Sequence, residues 1–205
     1  MKANAKKELV FSISGVLLLI IVAVSVSYAV FTYSKEGKVA NTISTGTISF
    51  SYNETSNGIS ITNAQPMTDA AGKVLVASDT ANGINQGYFD FNVTGSMSGN
   101  NAITYEVYGT VDSGSTMDAN FIKVYLTDGG ATETPMAGYD GAVVPVYESL
   151  PTSSSNPNGK RLYTASFTGG NISQNFRLRL WVADTYTLAD TSKTFTMRVN
   201  VSATD

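Results

Sequence analysis

From Thr47 onward, apolar and polar residues alternate in short runs. Ile48, Phe50 and Tyr52 alternate with Thr47, Ser49 and Ser51, and Phe89, Phe91 and Val93 with Asp90, Asn92 and Thr94. Ile103, Tyr105 and Val107 alternate with Thr104 and Glu106, and Ile122, Val124 and Leu126 follow the same rule. The last two runs are the clearest. Phe176, Leu178, Leu180 and Val182 alternate with Arg177, Arg179 and Trp181, and Phe195, Met197, Val199 and Val201 with Thr196, Arg198 and Asn200. Successive side chains of a strand point to opposite faces, so each run makes one apolar and one polar face. One buried and one wet face is the pattern of an antiparallel sheet in a sandwich. Weaker runs at 58–62, 73–77, 143–148 and 161–167 bring the total to roughly nine strands, the spacing of an all-β sandwich or jelly roll. No window after Phe31 carries a helical period; a short turn near 185–190 is the most that is expected. Residues 63–72, 129–141 and 151–159 are loops by their Gly, Pro, Ser and Asn content.

The N-terminus reads differently. Lys2, Lys6 and Lys7 precede an apolar run over residues 10–31, densest over 16–24. A run of about 20 residues is long enough to cross a bilayer as a helix. Ser27-Tyr28-Ala29 places small residues at −3 and −1 of a signal-peptidase site, with cleavage before Val30. Two readings follow: a cleaved signal peptide over 1–29, or a retained anchor. The Ser-x-Ala site favours cleavage. In both, the lysines stay on the cytoplasmic side and the β domain lies outside. The expected organisation is therefore a signal peptide or N-terminal hydrophobic helix over 1–29, a spacer over 30–46 and a β-sandwich over 47–205.

Composition sharpens this picture by exclusion. The chain of 205 residues has no Cys and no His, so disulfides, thiolate metal sites and histidine-based triads are ruled out. Charged residues make up 14%, against an ordinary value of about 25%. Ser, Thr, Asn and Gly fill the surface role instead, as in exported strand-rich proteins. Net charge is −3; without residues 1–29, which hold three Lys and one Glu, 10 basic and 15 acidic residues leave −5. The basic residues are scattered, which argues against a nucleic-acid partner.

Candidate chemistry is sparse. The Asp-bearing stretches 112–118 and 128–140 lack the alternating oxygen ligands of an EF-hand and read as turns. The four Asn-x-Ser/Thr sequons lie mostly in or beside predicted strands, and Leu150-Pro151-Thr152 lacks the context of a wall-sorting signal. Tyr88, Tyr108, Tyr125 and Tyr163 fall on the polar faces of their runs. Cross-strand packing is their ordinary use, and a surface for a carbohydrate or another subunit is the alternative. No cofactor or metal is expected, and no carboxylate pair or phosphate loop suggests an enzyme.

One segment carries a resemblance. Ser27-Tyr-Ala-Val-Phe-Thr32 is followed, after about a dozen residues, by Ser44-Thr-Gly-Thr-Ile-Ser-Phe-Ser51. This resembles the TasA–camelysin family of exported bacterial biofilm matrix proteins with a SipW-type signal peptide, in which a small-aromatic-Ala-x-Phe cleavage region precedes a Thr/Ser-Gly-Thr-Leu-x-Leu strand. Ile48 and Phe50 stand at the two apolar positions of that strand. Asn63-Ala-Gln-Pro-Met-Thr-Asp69 keeps the Pro66 and Asp69 of the family's next motif but lacks its Gly. The metalloprotease activity described for camelysin does not transfer to a chain without His or Cys. The resemblance implies a jelly-roll subunit that polymerises into surface fibres, an N-terminal strand of one subunit completing the sheet of the next. Val30, Phe31, Tyr33, Val39 and Ile43 are then the candidate donor-strand residues. The expected function is an extracellular structural protein that self-associates head to tail. The alternatives are a membrane-anchored adhesion module for a glycan or protein, and a pilin-like subunit.

Overall fold

The structure is a computed structural model of the chain; it describes residues 33–36, 41–45, 48–54, 59–61, 64–79, 83–187 and 193–204. Two long strands form its spine. β6 (Phe89–Val111) and β8 (Gly159–Val182) pair antiparallel from Phe89↔Leu178 to Thr110↔Gly159. Midway the register slips: Met97 faces Gly170, and the next pair is Ala102↔Thr168. Here Gly169 and Gly170 have φ of 61° and 75°, a left-handed conformation that glycine adopts without a Cβ clash. The ribbon folds over at this point. In a straight strand Tyr163 and Phe176 would stand about 40 Å apart. Their ring centroids are 5.2 Å apart.

The folded ribbon creates two facing layers. On one flank of β6, β3 (Ile48–Glu54) pairs with the first half and β9 (Met197–Thr204) with the second. β2 (Asn41–Thr45) extends β3, β1 (Tyr33–Glu36) extends β9, and β7 (Ile122–Thr127) extends β8 on the opposite flank. One layer is β2-β3-β6-β8-β7 and the other β1-β9-β6-β8. All pairings between these strands are antiparallel, and β4 (Ser60–Ile61) pairs with β5 (Ile84–Gln86) in a separate two-stranded sheet. The all-β architecture expected from the alternation is present.

The apolar faces meet between the layers. Tyr52, Phe91, Val93 and Phe176 come from one, Tyr105, Val107, Phe167 and Val201 from the other, each below 10% exposed. A continuous ring contact, Tyr105–Tyr163–Phe176–Phe91, crosses the gap with centroids 6.1, 5.2 and 4.9 Å apart. Burying one such aromatic side chain contributes about 2–3 kcal/mol.

Several expected elements differ. The runs at 89–93 and 103–107 belong to one strand, as do 161–167 and 176–182: the chain stays extended through the Gly- and Asn-rich middle, where side-chain alternation fades and the register between the two strands shifts. Residues 73–77 are not a strand. They follow α1 (Asp69–Lys73), whose N-cap Thr68 accepts from the Ala71 N–H at 3.4 Å and whose ends carry Asp69 and Lys73 in the favourable order for the helix dipole. A five-residue helix is too short to show a 3.6-residue period. The stretch 143–148 is irregular and enters a 3₁₀ turn at Tyr147–Ser149. The expected N-terminal helix and the cleavage residues Ser27, Ala29 and Val30 lie outside the described residues. Among the described residues no helix is long and apolar enough to cross a membrane.

Candidate functional site: the two edges of the sheet

Every open sheet ends in strands whose outer N–H and C=O groups need partners, so its edges are where another chain can add. The β7 edge is the more apolar. Val124 and Leu126 are fully buried and Tyr125 is 8% exposed. The loop after β7 folds back along this edge. Val124 N–H donates to Pro145 O (3.0 Å), Met136 N–H to Leu126 O (2.9 Å), and Asp128 N–H to Thr134 O (3.0 Å). Isolated bridges join Lys123 to Val146 and Thr127 to Pro135. Two prolines thus sit in the covering segment, and neither has an N–H to offer a further strand.

Polar contacts clamp this cover. Glu133 accepts from Arg177 Nη1 (2.8 Å), Arg179 Nη2 (2.9 Å) and Thr127 Oγ1 (2.9 Å). The two guanidiniums hold its carboxyl well below the usual range, at about 2, with the Arg179 hydrogen bond contributing most. Arg177 also chelates Asp90 at 2.7 and 2.8 Å and lies 3.9 Å from the Tyr88 ring centroid. Helix α1 fastens the far end. Asp69 accepts from Val144 N–H (2.8 Å) and pairs with Lys123 (3.4 Å), while Lys73 donates to Gly141 O (3.3 Å). Gly72 is buried against Trp181, whose ring a Cβ would meet at 2.2 Å. Only a residue without a side chain lets α1 sit this close.

The second layer has its own cover. Glu106, on the outer face of β6, is 1% exposed. It accepts from Ser153 Oγ and Ser154 Oγ, both at 2.9 Å, and from the N–H groups of Ser154 (3.1 Å) and Ser155 (3.2 Å). Tyr147 Oη reaches Gly109 O at 2.7 Å beside it. A buried carboxylate stays put only when its lone pairs are filled, and the serine-rich loop 151–159 fills them.

No protein-family model, curated protein or solved structure matches the chain.

The opposite edge is built differently. β1 and β2 come from the N-terminal segment and are four and five residues long. Among the described residues β1 pairs with β9 alone, from Tyr33↔Ala203 to Glu36↔Asn200, and β2 with β3 alone, from Asn41↔Tyr52 to Thr45↔Ile48. Of the candidate donor residues, the structure places Tyr33 in β1 and Ile43 in β2, on the edges of different layers; Val30, Phe31 and Val39 lie outside the described residues. The four tyrosines follow the packing reading and do not share one surface. Tyr108 and Tyr125 are buried, Tyr163 packs between the layers, and Tyr88 is spent on Arg177. The clamps at Glu106 and Glu133 were missed by sequence reasoning. Arg177 and Arg179 on one strand face were the available signal for the second; nothing local marked the first.

Proposed function

We propose that the chain is an extracellular structural protein, exported through residues 1–29, whose jelly-roll-type sandwich assembles head to tail into cell-surface fibres by strand exchange. One observation carries the reading. β1 is a short edge strand near the start of the chain, held among the described residues by β9 alone, so the β1 of a second copy can take the same register on β9 without disturbing the rest of the sheet. Such a contact uses two different surfaces and propagates as an open filament. The resemblance of residues 27–51 to exported biofilm matrix proteins supports the same conclusion.

The test uses the absence of cysteine. Ser34 and Ser202 are register partners, and paired Cα atoms in antiparallel strands, about 4.5–5.5 Å apart, suit a disulfide. A Ser34→Cys/Ser202→Cys variant oxidised as a monomer is expected to lock β1 in place and block fibre growth. Oxidised after assembly, it is expected to give a ladder of covalent oligomers on a non-reducing gel. Fibres that yield intrachain disulfides alone would overturn the exchange.

A further inference from the structure

We propose that the outer face of the β3-β6-β8 layer is a lateral contact between fibres, occupied by the same face of a second copy; the inference rests on the fibre reading above. Across β6 and β8 three register pairs line up on this face: Asn92↔Asn175, Thr94↔Ser173 and Ser96↔Asn171. Ser49, Ser51 and Asn53 of β3 continue the same rows by register. The opposite face of these strands holds the buried Tyr52, Phe91, Val93 and Phe176, so the rows lie on the outside. Ser96, Asn171, Ser173 and Asn175 are exposed.

Three features of the molecule single out a second copy as the occupant. The neighbouring outer surfaces are covered by loops, at Arg177 and Arg179 by the segment after β7 and at Glu106 by the serine loop. Among the described residues, Ser96, Asn171, Ser173 and Asn175 of these rows stay exposed beside them. They also carry no charge, in a chain with a net charge of −3, so two copies can meet here without like-charge repulsion. Every side chain in the rows is a hydroxyl or an amide, both donor and acceptor, so the face is complementary to itself as a two-fold contact requires. Asn92 Nδ2 already bridges to Asn175 Oδ1 (2.7 Å) and Ser173 Oγ (3.3 Å), which fixes the array before contact. Short side chains let sheets approach closely, as in stacked polar ladders.

Size sets the regime. Four strands including β2, five residues long, cover roughly 19 by 17 Å. That is about 300 Å² per copy, against about 800 Å² in a stable standard interface. A lone pair of subunits would not hold together. Copies repeated along two fibres would, because each contact raises the effective concentration of the next.

The experiment compares the full chain with a Ser96→Asp/Ser173→Asp variant. Fibre formation is read by high-speed sedimentation and bundling by low-speed sedimentation and fibre width in electron micrographs. The expected result is that wild-type fibres bundle, while the variant forms single fibres in equal yield and its low-speed pellet falls at least tenfold. High salt should restore much of that loss by screening the added charges. Wild-type fibres that stay single, or bundles unchanged by the two carboxylates, would overturn the lateral contact and leave the fibre reading intact. Bundling that appears solely on addition of a neutral glucan would assign the face to a polysaccharide and overturn self-contact. Absence of fibres altogether would remove both proposals.

Discussion

The two edges of the sheet differ in a way their own sequences invert. β7 is the more hydrophobic edge strand, Ile-Lys-Val-Tyr-Leu-Thr, and left bare it would be a template for aggregation. It is the edge that is covered, by backbone hydrogen bonds, two prolines, a carboxylate clamp and a short helix. β1 and β2, Tyr-Ser-Lys-Glu and Asn-Thr-Ile-Ser-Thr, are short and mostly polar. Such strands specify their register weakly, because little apolar area is lost when they slip or leave. An apolar edge is sealed by mass, and a polar edge is managed by brevity.

The largest break in this comparison is at Glu133. Arg179 keeps 5% of its side chain exposed and depends on this carboxylate. Glu133→Ala leaves a buried guanidinium uncompensated, a change that costs about 3–5 kcal/mol. It should also lift the cover from β7, so urea denaturation and sedimentation should report lower stability together with new association. Acid tests the same clamp. The Glu133 carboxyl sits at about 2 in the folded chain, below its ordinary value of 4.5. A depressed folded value means that its stabilisation is complete above the unfolded value and is lost as pH falls from about 4.5 towards 2. The melting temperature of the wild type should therefore drop more steeply across this interval than that of Glu133→Gln.

Gly72→Ala comes next. Its Cβ would enter the space of the Trp181 ring, so α1 or the ring must move, at about 1–3 kcal/mol. Trp181 is the sole tryptophan of the chain, so its fluorescence follows the displacement directly. A variant with unchanged emission and stability would show that α1 does not hold the β7 cover in place.

What could be read beforehand follows from the range of the interactions involved. Alternation at 122–126, 176–182 and 197–201 marked real strands, with Phe195 and Thr196 lying before β9, because their faces are set locally, by adjacent side chains in a chain of period two. The joining of 89–93 to 103–107 was not legible. The Ser-, Gly- and Asn-rich stretch 96–101 carries no alternation, and what makes it part of one strand is the pairing with β8 on either side of it, up to Met97↔Gly170 and again from Ala102↔Thr168, which comes from far along the chain. The fold-over at Gly169-Gly170 was open to suspicion, as adjacent glycines, but its direction depends on the aromatic contact between Tyr163 and Phe176. Tyr163, expected on a polar face, shares its face with Ala165 and the buried Phe167 and pairs with the fully buried Val107, so it packs inward. Of the edge site, Tyr33 and Ile43 were visible as members of an extended segment. The sealing of the other edge was not, since Glu133, Asp69 and Pro145 meet β7 and β8 only through tertiary structure.

Pro135→Ala should have the smallest effect on stability and the most pointed one on the comparison. Pro135 bridges Thr127 at the end of β7, and its ring restricts the unfolded chain. Replacing it costs about 0.4–1 kcal/mol, mainly through unfolded-state entropy. The new alanine also supplies an N–H on the covering segment. If lack of that donor keeps further strands off this side, the variant should associate through the β7 edge at concentrations where the wild type does not, with little change in melting temperature. Unchanged sedimentation at matched stability would show that the hydrogen bonds from Met136 to Leu126 and from Val124 to Pro145 seal the edge unaided. The distinction between the two edges would then rest on backbone satisfaction alone, with the prolines fixing where the cover turns.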